Sequence, residues 1–219
     1  MREPVEAAVL TTTVDGVARI MLNRPKSLNA INGEVHQGLL RALDRATVDE
    51  EVRAIVVTGS GTAFSAGGDL KAVAAGEDMG DPLELARAIW NSPKPVVAAV
   101  HGYCLGQAME LTLCCDLVVA ASDATFGEVE VNHGWGPPIL VTPYVAGMKH
   151  AMEVLLLGEV FGAMTALERG LINRVVAPEQ LESETARVTS RLVSLGADVL
   201  ASNKRLIHAA YERAGFNLA

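Results

Sequence analysis

The stretch Pro95-Val96-Val97-Ala98-Ala99-Val100, followed by His101-Gly102-Tyr103-Cys104-Leu105-Gly106-Gln107-Ala108-Met109-Glu110-Leu111-Thr112-Leu113-Cys114-Cys115-Asp116, decides how the chain is read. PVVAAV is a short, continuous apolar run, the pattern of a strand buried on both faces. A glycine-rich turn follows, and the residues from Gly106 onward read as a helix. The same order stands upstream. Ala54 to Thr58 (AIVVT) is a second buried run, and the turn GSGTAFSAGGDL leads into a short helical stretch at Asp69. Asp116 to Ala120 reads as a third strand. Two strand–turn–helix units are therefore stacked, and alternating strands and helices define an α/β class.

Working outward, Val9 to Val14 and Val17 to Leu22 flank Asp15-Gly16, a pair that tolerates the positive φ of a tight hairpin turn. Asn32 is an N-cap for a helix whose apolar face is Val35, Leu39, Ala42, Leu43 and Ala46. Further helices are expected over Pro82–Asn91, Ala151–Leu157, Thr165–Arg169, Gln180–Leu195 and Ala197–Ala214, with a strand at Arg174–Val176. No long linker, low-complexity tract or repeat interrupts the chain.

Half of the 219 residues are hydrophobic and a fifth are charged, which describes a folded chain with a substantial core. The net charge of −8 argues against broad nucleic-acid binding, which needs clustered Lys and Arg. It leaves room for an anionic small molecule held by backbone N–H groups. The opening MREPVEAAVL lacks a basic segment followed by an apolar one, so no secretory leader is expected. The apolar stretch Pro95 to Ala121 is broken by His101, Glu110 and Asp116 and makes a poor membrane span. Cys104, Cys114 and Cys115 lack metal or disulfide spacing and read as buried core thiols of a reduced, cytoplasmic protein. His36, His101, His150 and His208 form no metal-spacing motif, so no metal is expected.

Three segments carry chemistry. In Ala63-Phe64-Ser65-Ala66-Gly67-Gly68-Asp69-Leu70, small residues at a strand end let another molecule approach free N–H groups. This turn fails the tests for a P-loop, a dinucleotide fingerprint and a nucleophile elbow. In Gly102 to Leu111, Gly106 to Ala108 stand at a helix N-terminus, where unpaired N–H groups favour negative charge. Glu110 lies three residues after Gln107 in an apolar stretch, where a carboxyl needs a partner or a task. In Thr125-Phe126-Gly127-Glu128-Val129-Glu130-Val131, a second carboxylate follows on what reads as a short strand.

Taken together, these segments resemble the crotonase (enoyl-CoA hydratase/isomerase) family. That family carries LNRPxxxNA, AFxAGxDL, PKPxxAAVxGxxxGxGxEL, CD and FGxPE in this order. Here stand Leu22 to Ala30 (LNRPKSLNA), AFSAGGDL, Pro93-Lys94-Pro95 before HGYCLGQAMEL, Cys115-Asp116, FGEVE, and Gly170 to Val176 (GLINRVV). The resemblance implies a spiral of repeated ββα units over residues 1–180, followed by a C-terminal helical segment, 181–219, that helps assemble homotrimers or dimers of trimers. It implies an acyl-CoA thioester substrate and no cofactor beyond the CoA that the substrate carries. The thioester oxygen would be held by the backbone N–H groups of Gly68 and Gln107, with Glu110 orienting water and helping to remove its proton, and Glu130 acting as acid/base at the α-carbon. CoA would run along Lys26, Ser27, Leu28 and Ala30, then Ala66, Gly68, Asp69 and Leu70, with Gly106 nearby.

The chain departs from the family pattern in places. Gln107 stands where Gly is usual, and Val129 where Pro is. Lys71 to Ala88 is short for the family, and relatives usually continue beyond the position of Ala219, so either a tail follows or the acyl pocket is more open. The run Asn132-His133-Gly134-Trp135-Gly136-Pro137-Pro138 offers His133 or Trp135 to line an acyl pocket, and its Gly/Pro pattern is similar to one in lyases acting on aromatic acyl-CoAs. Both glutamates being present favours hydration. Isomerisation, aromatic acyl-CoA lyase chemistry and acyl-CoA binding without turnover stay open.

Overall fold

The structure, a computed structural model, describes residues 7–218. The expectation about a leader lies largely outside these residues. In chain order the elements are β1 (Val9–Val14), β2 (Val17–Leu22), α1 (Gly33–Val48), β3 (Ala54–Gly59), α2 (Leu70–Ala74), α3 (Pro82–Trp90), β4 (Val96–Val100), β5 (Tyr103–Leu105), α4 (Gln107–Leu113), β6 (Leu117–Ala121), β7 (Thr125–Gly127), α5 (Thr142–Leu157), β8 (Phe161–Gly162), α6 (Ala163–Glu168), β9 (Arg174–Val176), α7 (Leu181–Val193) and α8 (Ala197–Arg213).

The hairpin stands as the Asp-Gly pair predicts: Val14 faces Val17, and Asp15 and Gly16 take φ of 49° and 77°. From β2 onward every pairing in the larger sheet is parallel, and among the described residues its order is β1-β2-β3-β4-β6-β9. A smaller sheet, β5-β7-β8, stands apart from it. Alternation along the strands explains why β3 and β4 are apolar throughout. Ile55, Val57, Ala98 and Val100 face the main core with α1, α3 and α4, while Val56, Val97 and Ala99 face the other side with Val119. There Val188 of α7 covers them. Without that cover each valine would meet water, at a cost of about 1.5–3 kcal/mol apiece. Asn32 caps α1 by accepting from Val35 N–H at 3.0 Å.

α8 is tied to the body by a buried ion pair. Lys204 Nζ lies 2.8 Å from Asp116 Oδ2, which also accepts from Val96 N–H, and the His208 ring stacks on Trp90 at 3.6 Å. Burial pushes the Asp116 carboxyl up more strongly than Lys204 pulls it down. Lys204→Met therefore leaves a desolvated carboxyl unpaired, and is expected to destabilise the chain by about 3 kcal/mol in urea unfolding.

Three local expectations change. Glu128 and Glu130 lie beyond β7, whose strand ends at Gly127, and Glu130 opens a 3-10 turn, Glu130–His133. α5 begins at Thr142, nine residues before the periodic run from Ala151, because Pro143 sits in its first turn and Gly147 (φ 74°) breaks the helical geometry midway. β5 is too short to announce itself in an apolar turn. Cys104 and Cys114 are buried, and all three cysteines are free. Among the described residues no helix is long and apolar enough to cross a membrane.

Candidate active site

The first wall of the site is built by Asn29. Leu28 and Asn29 both take left-handed φ (49° and 54°), which folds the loop back on itself. The buried Asn29 amide then accepts from Arg24 N–H at 2.8 Å and donates to Ser60 O at 2.8 Å and Ala63 O at 2.7 Å. Arg24 reaches across to Ala30 O (2.7 Å) and Asp69 Oδ2 (2.8 Å). Backbone bonds close the seam: Ala66 N–H to Leu28 O at 2.9 Å, Ile31 N–H to Gly67 O at 2.8 Å, and Asp69 N–H to Ile31 O at 2.9 Å. Gly68 lies between the last two, and its own N–H is left out of the ladder. Asn29→Ala removes these three hydrogen bonds and a fourth, from Ser60 Oγ at 3.4 Å, and leaves buried backbone groups unpaired. We expect a loss of about 2–4 kcal/mol, measured by chemical denaturation.

The second wall is β5 and the start of α4. Ser65 N–H donates to Tyr103 O at 2.8 Å, and Leu105 N–H returns to Ser65 O at 3.1 Å. At Gly67 (φ 89°) an added Cβ would stand 2.6 Å from Leu105 O and 3.6 Å from Gln107 N, so only glycine lets the two turns approach this closely. The approach brings Gly68 beside Gln107, whose side-chain Oε1 lies 3.6 Å from a Cβ placed on Gly68.

Behind this junction three glutamates meet. Glu110 is fully buried on α4, with Oε2 accepting from Ile139 N–H at 2.6 Å and Oε1 without a donor. Burial, followed by the nearby Glu130 charge, pushes its carboxyl up to about 9 against the pull of N–H groups on Ile139 and Val141. Glu130 lies over Gly106. Burial raises its carboxyl too, but its own N–H, the Gln107 N–H, Glu128 and the His133 ring restrain it. Glu128 is the third, with Oε1 accepting from Thr142 Oγ1 at 3.3 Å. It was not among the residues expected from the sequence. The signal available was its spacing: it stands two residues after Phe126, which is buried, so a continued strand would have put it on the same inward face.

A cavity of about 340 Å³ opens in front of these groups. Ala66, Gly68, Leu70, Gly106, Gln107, Glu130, His133 and Trp135 all line it, together with Met79 and Val73 from the α2 side. Glu110, fully buried, is not among the residues that line it. Lys26, Ser27 and Leu28 are exposed on the neighbouring loop, and Ala30 is buried next to it. Asp69 turns away: its side chain caps α2 and pairs with Arg24. Burial works to raise that carboxyl, but Arg24 and the N–H groups of Lys71 and Ala72 together hold it below the usual range. A larger cavity, about 390 Å³, lies under α8, but its charged groups, Asp116 and Lys204, already neutralise each other.

Two backbone donors at an apolar cavity, with carboxyl groups close behind, define a site that can stabilise negative charge on a carbonyl oxygen while moving a proton nearby. Residues 12–217 match the family described as enoyl-CoA hydratase/isomerase. The chain is 36% identical over 190 residues to a crotonyl-CoA hydratase of Syntrophomonas wolfei subsp. wolfei, covering 82% of this chain and 73% of that protein. It is 33% identical over 206 residues to a probable mitochondrial enoyl-CoA hydratase of Dictyostelium discoideum, covering 90% of this chain and 73% of the other. A crystal structure of an enoyl-CoA hydratase/isomerase from Xanthobacter autotrophicus Py2 superposes with a TM-score of 0.91 at 38% identity, over 95% of this chain and 81% of that one. The chain belongs to the enoyl-CoA hydratase/isomerase, or crotonase, family.

Proposed function

We propose that this chain is an enoyl-CoA hydratase, adding water across the α,β double bond of an acyl-CoA thioester. The observation that carries this reading is the pair of carboxyl groups, Glu110 fully buried and Glu130 half-buried, set next to the Gly68 and Gln107 donors. Water addition needs a base for the water and an acid for the α-carbon, whereas moving a double bond can proceed with one carboxylate. The names of the relatives above, crotonyl-CoA hydratase among them, support the same reading.

The environment provides both halves of the proton chemistry. Burial keeps a proton on Glu110, while N–H donors hold Glu130 nearer its anion. With a water between them, one passage of a proton across it exchanges these states. Glu110 then takes the water's proton as its oxygen bonds to the β-carbon. The π electron pair moves into the thioester oxygen, where the N–H groups of Gly68 and Gln107 meet it. Glu130 delivers a proton to the α-carbon as the enolate collapses, and the water's proton stays on Glu110, restoring the resting state. Each oxyanion donor is worth about 3–4 kcal/mol. In the resting site the Gln107 N–H faces Glu130, so it serves the carboxylate before it serves the substrate.

CoA runs from the cavity mouth past Leu70 and Ala66 towards the exposed loop of Lys26, Ser27 and Leu28, with the acyl group between Met79, His133 and Trp135. We read the chain as a cytoplasmic homotrimer or dimer of trimers, since Met148, Met152, Leu156, Leu157, Val160 and Met164 form an exposed apolar surface on α5, α6 and their connection. Light scattering at a concentration of 10 µM-order tests the assembly, and a monomer would overturn it. Loss of the enoyl absorbance of crotonyl-CoA on adding the purified protein tests the activity. Absence of turnover alongside calorimetric acyl-CoA binding would sink hydration of short chains.

A further inference from the structure

The mechanism above gives Glu128 no part, yet it is 2% exposed and packed among titratable groups. Glu110 faces it from α4, Glu130 from the 3-10 turn, and the Cys104 thiol from β5. Thr142 at the start of α5 donates to its Oε1. Among the described residues it forms no salt bridge, and no group of three His, Cys, Asp or Glu is arranged to hold a metal ion. Oε2 of Glu128 and Oε2 of Glu130 are both buried without a donor, and the two carboxyl groups act directly on each other, raising Glu128 and lowering Glu130. Two desolvated carboxylates cannot share such a contact as anions; a proton between them supplies the missing donor and removes one charge.

We propose that Glu128 is a positioning residue: its carboxyl keeps a proton and donates it as a hydrogen bond to Glu130, holding that group as an oriented anion at the cavity wall. The kinetic consequence rests on the hydratase reading, but the retained proton does not. The surroundings agree in direction. Burial first, then the charges of Glu110 and Glu130, push the Glu128 carboxyl well above the usual range, and the same contact lowers that of Glu130. The thiol of Cys104 is raised by its own burial and stays neutral beside them.

A buried group that only fills space can be replaced by any side chain of similar volume. A donor can be replaced only by a donor. Glu128→Gln keeps an N–H towards Glu130 and an oxygen for Thr142 but cannot titrate, while Glu128→Leu keeps volume alone. The first readout uses no substrate: the infrared stretch of protonated carboxyl groups at neutral pH, compared between wild type and Glu128→Gln. Loss of one carboxyl's intensity is expected, and unchanged intensity overturns the proposal. The second is the pH dependence of kcat/KM for hydration. Removing a hydrogen bond to a charged group should move the acid limb of Glu128→Leu up by about one pH unit, and Glu128→Gln should restore it. Equal profiles in both variants, with only a common fall in rate, would assign Glu128 a packing role and overturn the proposal. Loss of the infrared band in a protein that hydrates no enoyl thioester would sustain the proton and sink the hydratase reading.

Discussion

Glu110→Ala and Glu130→Ala are each expected to lower crotonyl-CoA hydration by about 10²–10⁴-fold, the usual contribution of a positioned acid or base. The two should not multiply, because both act on one water, and the double variant is expected to fall little below the worse single one. Circular dichroism of each variant should match wild type, since α4 is anchored by Met109, Leu111 and Leu113 rather than by Glu110. Glu110→Gln adds a stability signature. The folded chain holds a proton on Glu110 up to about pH 9, whereas an unfolded glutamate releases it near its ordinary value of 4.5. The folded state therefore binds more protons across that window, and wild-type stability falls as pH rises through it. Glutamine does not titrate, so Glu110→Gln should gain on wild type in thermal unfolding between pH 5 and pH 8. Wild-type turnover in either alanine variant would remove the pair from the mechanism. A difference between Glu110→Gln and wild type that does not grow with pH would remove the retained proton.

The parts of this fold that the sequence reveals are those set by local physics. Asp15-Gly16 dictates a hairpin turn, Asn32 caps α1, and the runs at Ala54 and Val96 are apolar throughout because both faces of β3 and β4 are covered. The proposed oxyanion donors are legible for a similar reason: Gly67 and Gly106 mark places where backbone must come close or take positive φ. What stays hidden depends on contacts distant in sequence. No local pattern distinguishes Glu128 in FGEVE from an acidic residue in water; its burial comes from Thr142 and Glu110, fourteen and eighteen residues away in opposite directions. Asp69 is the reverse case. It stands in the motif that borders the cavity, but its side chain is committed to Arg24 and to capping α2, so only its backbone is available to a ligand. The role of α7 as the cover for one sheet face is likewise invisible until the helix is seen lying on Val97 and Val119.

Gly106→Ala should be nearly as damaging as loss of Glu130, although it removes no reacting group. Gly106 has φ 52° and ψ −130°, a region where an L side chain costs on the order of 1–3 kcal/mol. Its Cβ would also meet Glu130 Oε1 at 2.2 Å and Cδ at 2.9 Å, so the carboxyl must leave its place over the start of α4. Strain and displacement can be separated with Gly76→Ala. Gly76 has φ 71° but nothing within 4 Å of an added Cβ, so it carries strain alone. Both variants are expected to lose about 1–3 kcal/mol in denaturant unfolding. Only Gly106→Ala should lose kcat/KM, by about 10²-fold, because a carboxyl displaced by even an ångström no longer meets the reacting atoms. Its acid limb should also move, since Glu130 would part from the Gln107 N–H and from Glu128 together. If Gly106→Ala instead keeps wild-type kcat/KM with the same stability loss as Gly76→Ala, the placement of Glu130 over Gly106 has no bearing on the reaction, and the proton donor to the α-carbon must be sought elsewhere in the cluster.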